Sequence, residues 1–284
     1  MARVFLAGAT GVLGRRLVPL LLAHGHQVTG LARSAASADR IRSLGAEPVL
    51  GDALDADSVR TAVLAARPDV VMHQLTDLAA GDRAANSAIR VVGTRNLVDA
   101  TLAADVRRFV VQSIAFAYAP GSSPAREDTP LDVDAGEPRR TTVRGIVELE
   151  TQAARVDSHV VLRYGTFYGP GTWYAADGLI ADAARAGELP ANGDVTSFVH
   201  VDDAALAALR SLDWGNGPVN VCDDEPAAAS EWVPEFCGVV GAEPPASSDE
   251  RTPFARGAAN GYVRSLGWQP AWPSWRDGFK ALTA

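Results

Sequence analysis

At 284 residues, with 47% apolar and 21% charged residues, the chain has the profile of a soluble globular protein able to bury a sizeable core. Its net charge of −8 excludes a general nucleic-acid or membrane-surface role, since both depend on basic patches, and leaves a small-molecule partner. Cys222 and Cys237 are its two thiols, too few for a disulfide scaffold or a cysteine zinc site; no metal site is expected, and with no membrane-length apolar run and no cleavable leader the expected location is cytoplasmic.

The short apolar run Val4 to Ala7 predicts a buried parallel strand. Gly8-Ala9-Thr10-Gly11-Val12-Leu13-Gly14 then leads into Leu17, Leu20 and Leu21 at helical spacing, so residues 3–24 form one strand–turn–helix unit. Glycines in that setting let the backbone approach a pyrophosphate, and the helix N-terminus offers unpaired N–H groups. A dinucleotide is expected there. Gln27–Ala32 predicts a second strand and Ala36–Leu44 a helix. The second strand runs into Arg33-Ser34 with no acid before Asp39, which favours NADP(H) over NAD(H), because an arginine pairs with the 2′-phosphate where a carboxylate would bind the ribose hydroxyl. The alternative is that Arg33 caps a loop or stacks on adenine.

Pro48–Leu50 predicts a third strand, and Ser58–Ala66 a helix capped by Asp57 or Ser58. Asp52, between them, is read either as a partner of the adenine amino group or as a turn-forming aspartate. A fourth strand, Val70–Gln74, precedes one long helix from about Arg83 to Ala104; a fifth, Phe109–Ser113, ends in a hydroxyl. Alternation of this kind predicts an α/β fold with a doubly wound parallel sheet of Rossmann type. The loop from Tyr118 to Pro138 is long enough for a lid or an active-site rim. A helix over Thr141–Val156, a sixth strand His159–Arg163 and an aromatic, glycine-rich turn to Gly171 follow. The last third carries shorter elements: helices at Leu179–Ala186, Asp202–Ser211, Glu231–Val240 and Ser274–Leu282, with strands at Ser197–Val201 and Val219–Val221. The expected division is a dinucleotide-binding domain over 1–165, joined by 195–222, and a small α/β substrate-binding cap over 166–284.

These motifs, with Phe198-Val199-His200-Val201-Asp202-Asp203 and Leu266-Gly267-Trp268-Gln269-Pro270, resemble the extended and atypical branches of the short-chain dehydrogenase/reductase superfamily, which include NAD(P)-dependent epimerases and dehydratases. The resemblance implies pyrophosphate on the backbone of Gly8 to Gly14, adenine beside Asp52 and Ala53, Gln74 and Leu75 flanking the ribose and nicotinamide, Ser113 on the reacting group and Phe167 beside the nicotinamide. It also implies a tyrosine and a lysine four residues later on the helix after strand five. Here those positions hold Thr142 and Ile146, and the chain's single lysine is Lys280.

Three readings follow. An oxidoreductase acting on a small-molecule carbonyl or alcohol could take its proton from Tyr118, Tyr164, Tyr168, His200 or water, with Ser113 orienting the carbonyl. A non-redox cyclase, dehydratase or isomerase could use the same scaffold with Glu148, Thr142 or a tyrosine as acid or base. A non-catalytic NAD(P) sensor needs no proton. His200 and Asp202 also suit a purely structural loop-and-cap role. The aromatic residues Tyr164, Phe167, Tyr168, Trp173, Tyr174 and Phe198 suit an aromatic or polycyclic substrate, and the two long helices suit a homodimer face.

Overall fold

The computed structural model describes residues 1–78 and 83–283. In chain order it contains β1 (Arg3–Ala7), α1 (Gly14–Ala23), β2 (Gln27–Ala32), α2 (Ala35–Ser43), β3 (Glu47–Leu50), α3 (Ala56–Ala66), β4 (Val70–His73), α4 (Arg83–Ala88), α5 (Thr94–Ala103), β5 (Arg108–Ile114), α6 (Arg139–Ala153) and β6 (Ser158–Tyr164). There follow β7 (Thr166–Tyr168), α7 (Leu179–Arg185), β8 (Val195–Thr196), β9 (Phe198–His200), α8 (Val201–Arg210), β10 (Gly217–Val221), β11 (Ala227–Ala228), α9 (Ala229–Val240), α10 (Gly261–Ser265) and α11 (Trp275–Lys280).

The main sheet has the order β10-β6-β5-β4-β1-β2-β3, and β3, β2, β1, β4 and β5 pair in parallel. Chain order therefore reverses at the β1/β4 boundary, where Ala7 pairs with both Leu31 and His73. In open parallel sheets ligands bind outside the carboxyl ends of the strands at such a reversal. The strands flanking it are almost wholly buried and mainly apolar because helices cover both faces.

Two compact units divide the chain. The first comprises 1–113, 133–162 and 205–218; the second comprises 114–132, 163–204 and 219–284. The first is built on Phe5, Leu31, Val59, Val71, Leu97, Phe109 and Leu149, all buried. At about 2 kcal/mol for each large side chain removed from water, this cluster holds α3, α5 and α6 to the sheet. The second packs Tyr168, Phe198, Trp232, Phe236, Trp275 and Phe279, whose rings meet mainly edge to face, as at Phe198 and Trp232, 5.5 Å apart. Residues 114–132 group with this unit, although the linear reading put them with the dinucleotide domain. The reason is local: Tyr118 and Glu127 both bond to Asn220.

Local structure departs from the sequence reading at several points. The expected single helix over Arg83–Ala104 is interrupted by a π-helical segment, Ile89–Gly93, between α4 and α5. The cap of α3 is Asp55, whose Oδ1 accepts the N–H groups of Asp57 and Ser58, rather than either of those residues. The aromatic turn after β6 contains a strand, β7, paired in parallel with β9. The five-residue α10 and the short β8 and β11 had no periodicity to announce them.

Candidate active site

The glycine turn is fixed by its own sterics. Gly8 has φ +103°, and a Cβ there would lie 2.6 Å from the carbonyl oxygen of Gln74. A Cβ on Gly14 would lie 2.1 Å from the oxygen of Gly8. The turn is closed by Gly11 N–H donating to Gly8 O at 3.1 Å, and no side chain caps α1. The N–H groups of Arg15, Arg16 and Leu17 are bonded within the turn and first helical turn, to Gly11 O and Leu13 O, and the positive end of the helix dipole lies at the glycine turn. The backbone from Gly8 through Thr10, Gly11, Val12 and Leu13 to Gly14 forms a cradle that fits a pyrophosphate and has no room for side chains at its narrow points.

The walls beside the turn are pinned by buried polar groups. Gln74 N–H donates to Ala7 O at 2.8 Å, tying the β4 exit to β1. Leu75 is held at both ends of its backbone: its N–H donates to His73 Nδ1 at 3.2 Å, and its carbonyl accepts from Gln112 Nε2 at 3.0 Å. The other His73 nitrogen lies 3.0 Å from Thr94 Oγ1. Full burial pushes His73 down to about 3, so the ring is neutral and its Nδ1 serves as an acceptor. Asn96 Nδ2 donates to Ala53 O at 2.9 Å, fixing the β3 exit from beneath. No motif pointed to His73, Gln112 or Asn96; only their burial and partners do.

At the neighbouring strand ends, Arg33 is exposed at the end of β2 and, among the described residues, has no acidic partner. The Ser34 hydroxyl is engaged in a capping box with Ser37 at the start of α2. Asp52 Oδ1 accepts Leu54 N–H at 3.0 Å, the turn-forming arrangement, and the residue remains exposed.

Ser113 is not brought to Thr142. Its hydroxyl, 1% exposed, donates to Glu150 Oε1 at 2.8 Å. Glu150 follows Thr142 by eight helical residues, about 12 Å along α6. Ser113 is therefore a buried donor to a helix carboxylate, which corrects its expected place on the reacting group. Thr142 is partly exposed, and Ile146 is fully buried.

The tyrosines proposed as proton donors are core side chains, and this too corrects the sequence reading. The Tyr118 hydroxyl donates to Asn220 Oδ1 at 2.5 Å and accepts from Arg163 Nη1 at 2.9 Å; burial pushes it up to about 12. Tyr164, whose ring meets Phe167 at 5.1 Å, and Tyr168 are both raised well above the ordinary phenol range by burial. His200 Nδ1 accepts Asp202 N–H at 3.2 Å, its ring lies 5.2 Å from that of Trp272, and a Cβ on Gly169 would touch its Nε2. That is the structural loop-and-cap role. Beside this aromatic core Asp223 is buried with Oδ1 accepting Glu225 N–H at 3.3 Å, while Oδ2 has no partner. Desolvation pushes its carboxyl up to about 8.

A doubly wound parallel sheet with a glycine cradle at its switch point defines a dinucleotide-dependent enzyme. Residues 4–222 match the NAD dependent epimerase/dehydratase family, and the chain belongs to it. A 3-diazoavenalumate denitrifying reductase from a Streptomyces species is 46% identical, over 97% of this chain and 98% of that protein. A UDP-glucose 4-epimerase from Mycolicibacterium smegmatis is 28% identical, over 94% and 93%. Among solved structures, the Thermus thermophilus UDP-glucose 4-epimerase in complex with NAD superposes with a TM-score of 0.75 at 22% identity, over 99% of this chain and 97% of that one. The protein is an NAD(P)-dependent enzyme of the reductase/epimerase type.

Proposed function

We propose that this protein is an NADPH-dependent reductase that replaces the diazo group of an aromatic carboxylate with hydrogen, releasing dinitrogen. The observation that carries the reading is the composition of α6: Thr142 and the buried Ile146 stand where a proton relay would need tyrosine and lysine. Reducing a carbonyl adds one hydride and one proton, so it calls for a general acid, worth about 10²–10⁴-fold in rate. Converting an aryl diazonium to the arene adds one hydride and expels N2; charge and atoms balance with no proton consumed. A site without an acid is suited to the second reaction. The 46% identity to a denitrifying reductase along nearly the whole of both chains supports it independently.

When bound, the dinucleotide supplies the hydride. The chain's own contribution is to hold it: the backbone of Gly8–Gly14 takes the pyrophosphate, and the doubly pinned Leu75 and the Asn96-supported Ala53 form fixed walls. The decisive measurement uses 3-diazo-4-hydroxycinnamate as probe. One NADPH is expected to be oxidised per N2 released, with a primary isotope effect from NADPH deuterated at the transferred position and none from D2O. NADPH oxidation without gas release, or gas release that continues after the nicotinamide is stripped away, would overturn the reading.

Preference for the phosphorylated cofactor rests on Arg33. Its exposure at the end of β2 without an acidic partner leaves the guanidinium available for a 2′-phosphate. The Arg33→Asp variant is expected to lower the ratio of NADPH to NADH affinity by about 10–100-fold in fluorescence titration. An unchanged ratio would assign Arg33 to the loop instead.

A further inference from the structure

Among the described residues of the first unit, Arg90 carries a charge that no acidic side chain pairs with. Arg90 lies in the π-helical segment, is 7% exposed, and has Nε buried with no hydrogen-bond partner. Among the described residues no carboxylate pairs with it. A buried cation without a counter-charge is expensive and is retained where a ligand supplies the missing partner. Its stem lies across α6 at Gly145, where a Cβ would be 3.5 Å from Arg90 Cδ. Gly145 and Thr142 are three residues apart and share a helix face. Arg90 therefore lies, from the neighbouring helix, against α6 one turn from Thr142.

We infer that Arg90 is an anion seat, its guanidinium pairing with a phosphate or carboxylate oxygen that the cofactor or the substrate brings into the first unit. A planar fork of donors suits a two-oxygen anion better than a lysine would. Burial alone holds the group down to about 10, which a bound anion would reverse. The substrate arm rests on the proposed reduction of a diazo carboxylate; the cofactor arm does not.

The test compares Arg90→Met and Arg90→Gln with the parent, measuring affinity for NADPH alone, for 4-hydroxycinnamate in the presence of NADP⁺, and for the uncharged 4-hydroxycinnamamide. Loss of at least about tenfold in NADPH affinity assigns the seat to the cofactor. The same loss for the carboxylate but not the amide assigns it to the substrate. In either case Arg90→Met is expected to melt at a higher temperature than the parent, because it removes an uncompensated buried charge. If a folded variant binds all three probes within about twofold of the parent, Arg90 is no anion seat. Failure of the diazo turnover with a preserved Arg90 effect would sink the proposed reaction and leave this inference standing.

Discussion

The Gly14→Ala variant is expected to lose cofactor affinity by at least about 100-fold while retaining its secondary structure. The added methyl would stand 2.1 Å from Gly8 O and 2.7 Å from the backbone of Ala9, so it meets main chain rather than a side chain that can swing away. Relief requires α1 to back off from the turn, and that displaces the N–H groups that receive the pyrophosphate. Strain of this type costs about 1–3 kcal/mol in a packed core, which a domain of this size can absorb. Titration with NADPH, alongside far-ultraviolet circular dichroism, separates the two effects. Retained affinity in a folded variant would mean that the cradle is not the phosphate site.

Replacing Asp223 with asparagine is expected to stabilise the protein in a pH-dependent manner. In the unfolded chain this carboxyl ionises near 3.8, whereas in the folded chain it holds its proton to about 8. Between those values the unfolded state sheds a proton that the folded state keeps, so stability falls as pH rises through the interval and levels off above it. Asparagine preserves an oxygen that accepts Glu225 N–H and carries no charge to desolvate, at the cost of the weaker acceptance from Trp275 N–H. The variant should match the parent near pH 4 and exceed it by on the order of 6 kcal/mol above pH 8. Urea denaturation at three pH values checks this. A difference independent of pH would show that the buried carboxyl is ionised like any other.

The sheet and its glycine turn were legible because they depend on local periodicity and local sterics: runs such as Val4 to Ala7, and glycines whose missing side chains the turn itself requires. What could not be read were facts about partners distant in sequence. Ser113 ends its strand with a hydroxyl, but only the packing of α6 directs that hydroxyl to Glu150, 37 residues on. Tyr118, Tyr164 and Tyr168 looked available because a tyrosine carries the same sequence signal in a core as in a cleft. Arg90 drew no notice because an arginine within a helical stretch reads as a solvated residue until tertiary contacts bury it.

The π-helical segment at Ile89–Gly93 has a meaning beyond interrupting a helix. Each of its rings closes over one residue more than an α-helical ring, and one residue corresponds to a rotation of about 100° about the axis. The two α-helical halves are therefore out of phase. The later half turns Leu97 and Val98 into the sheet core, while the π segment itself turns Arg90 toward Gly145. That setting is written in the number of residues, not in their identity. Shortening the segment by a single codon would turn Arg90 by about 100° relative to Thr94 and Asn96, with the Gly8–Gly14 backbone unchanged in sequence.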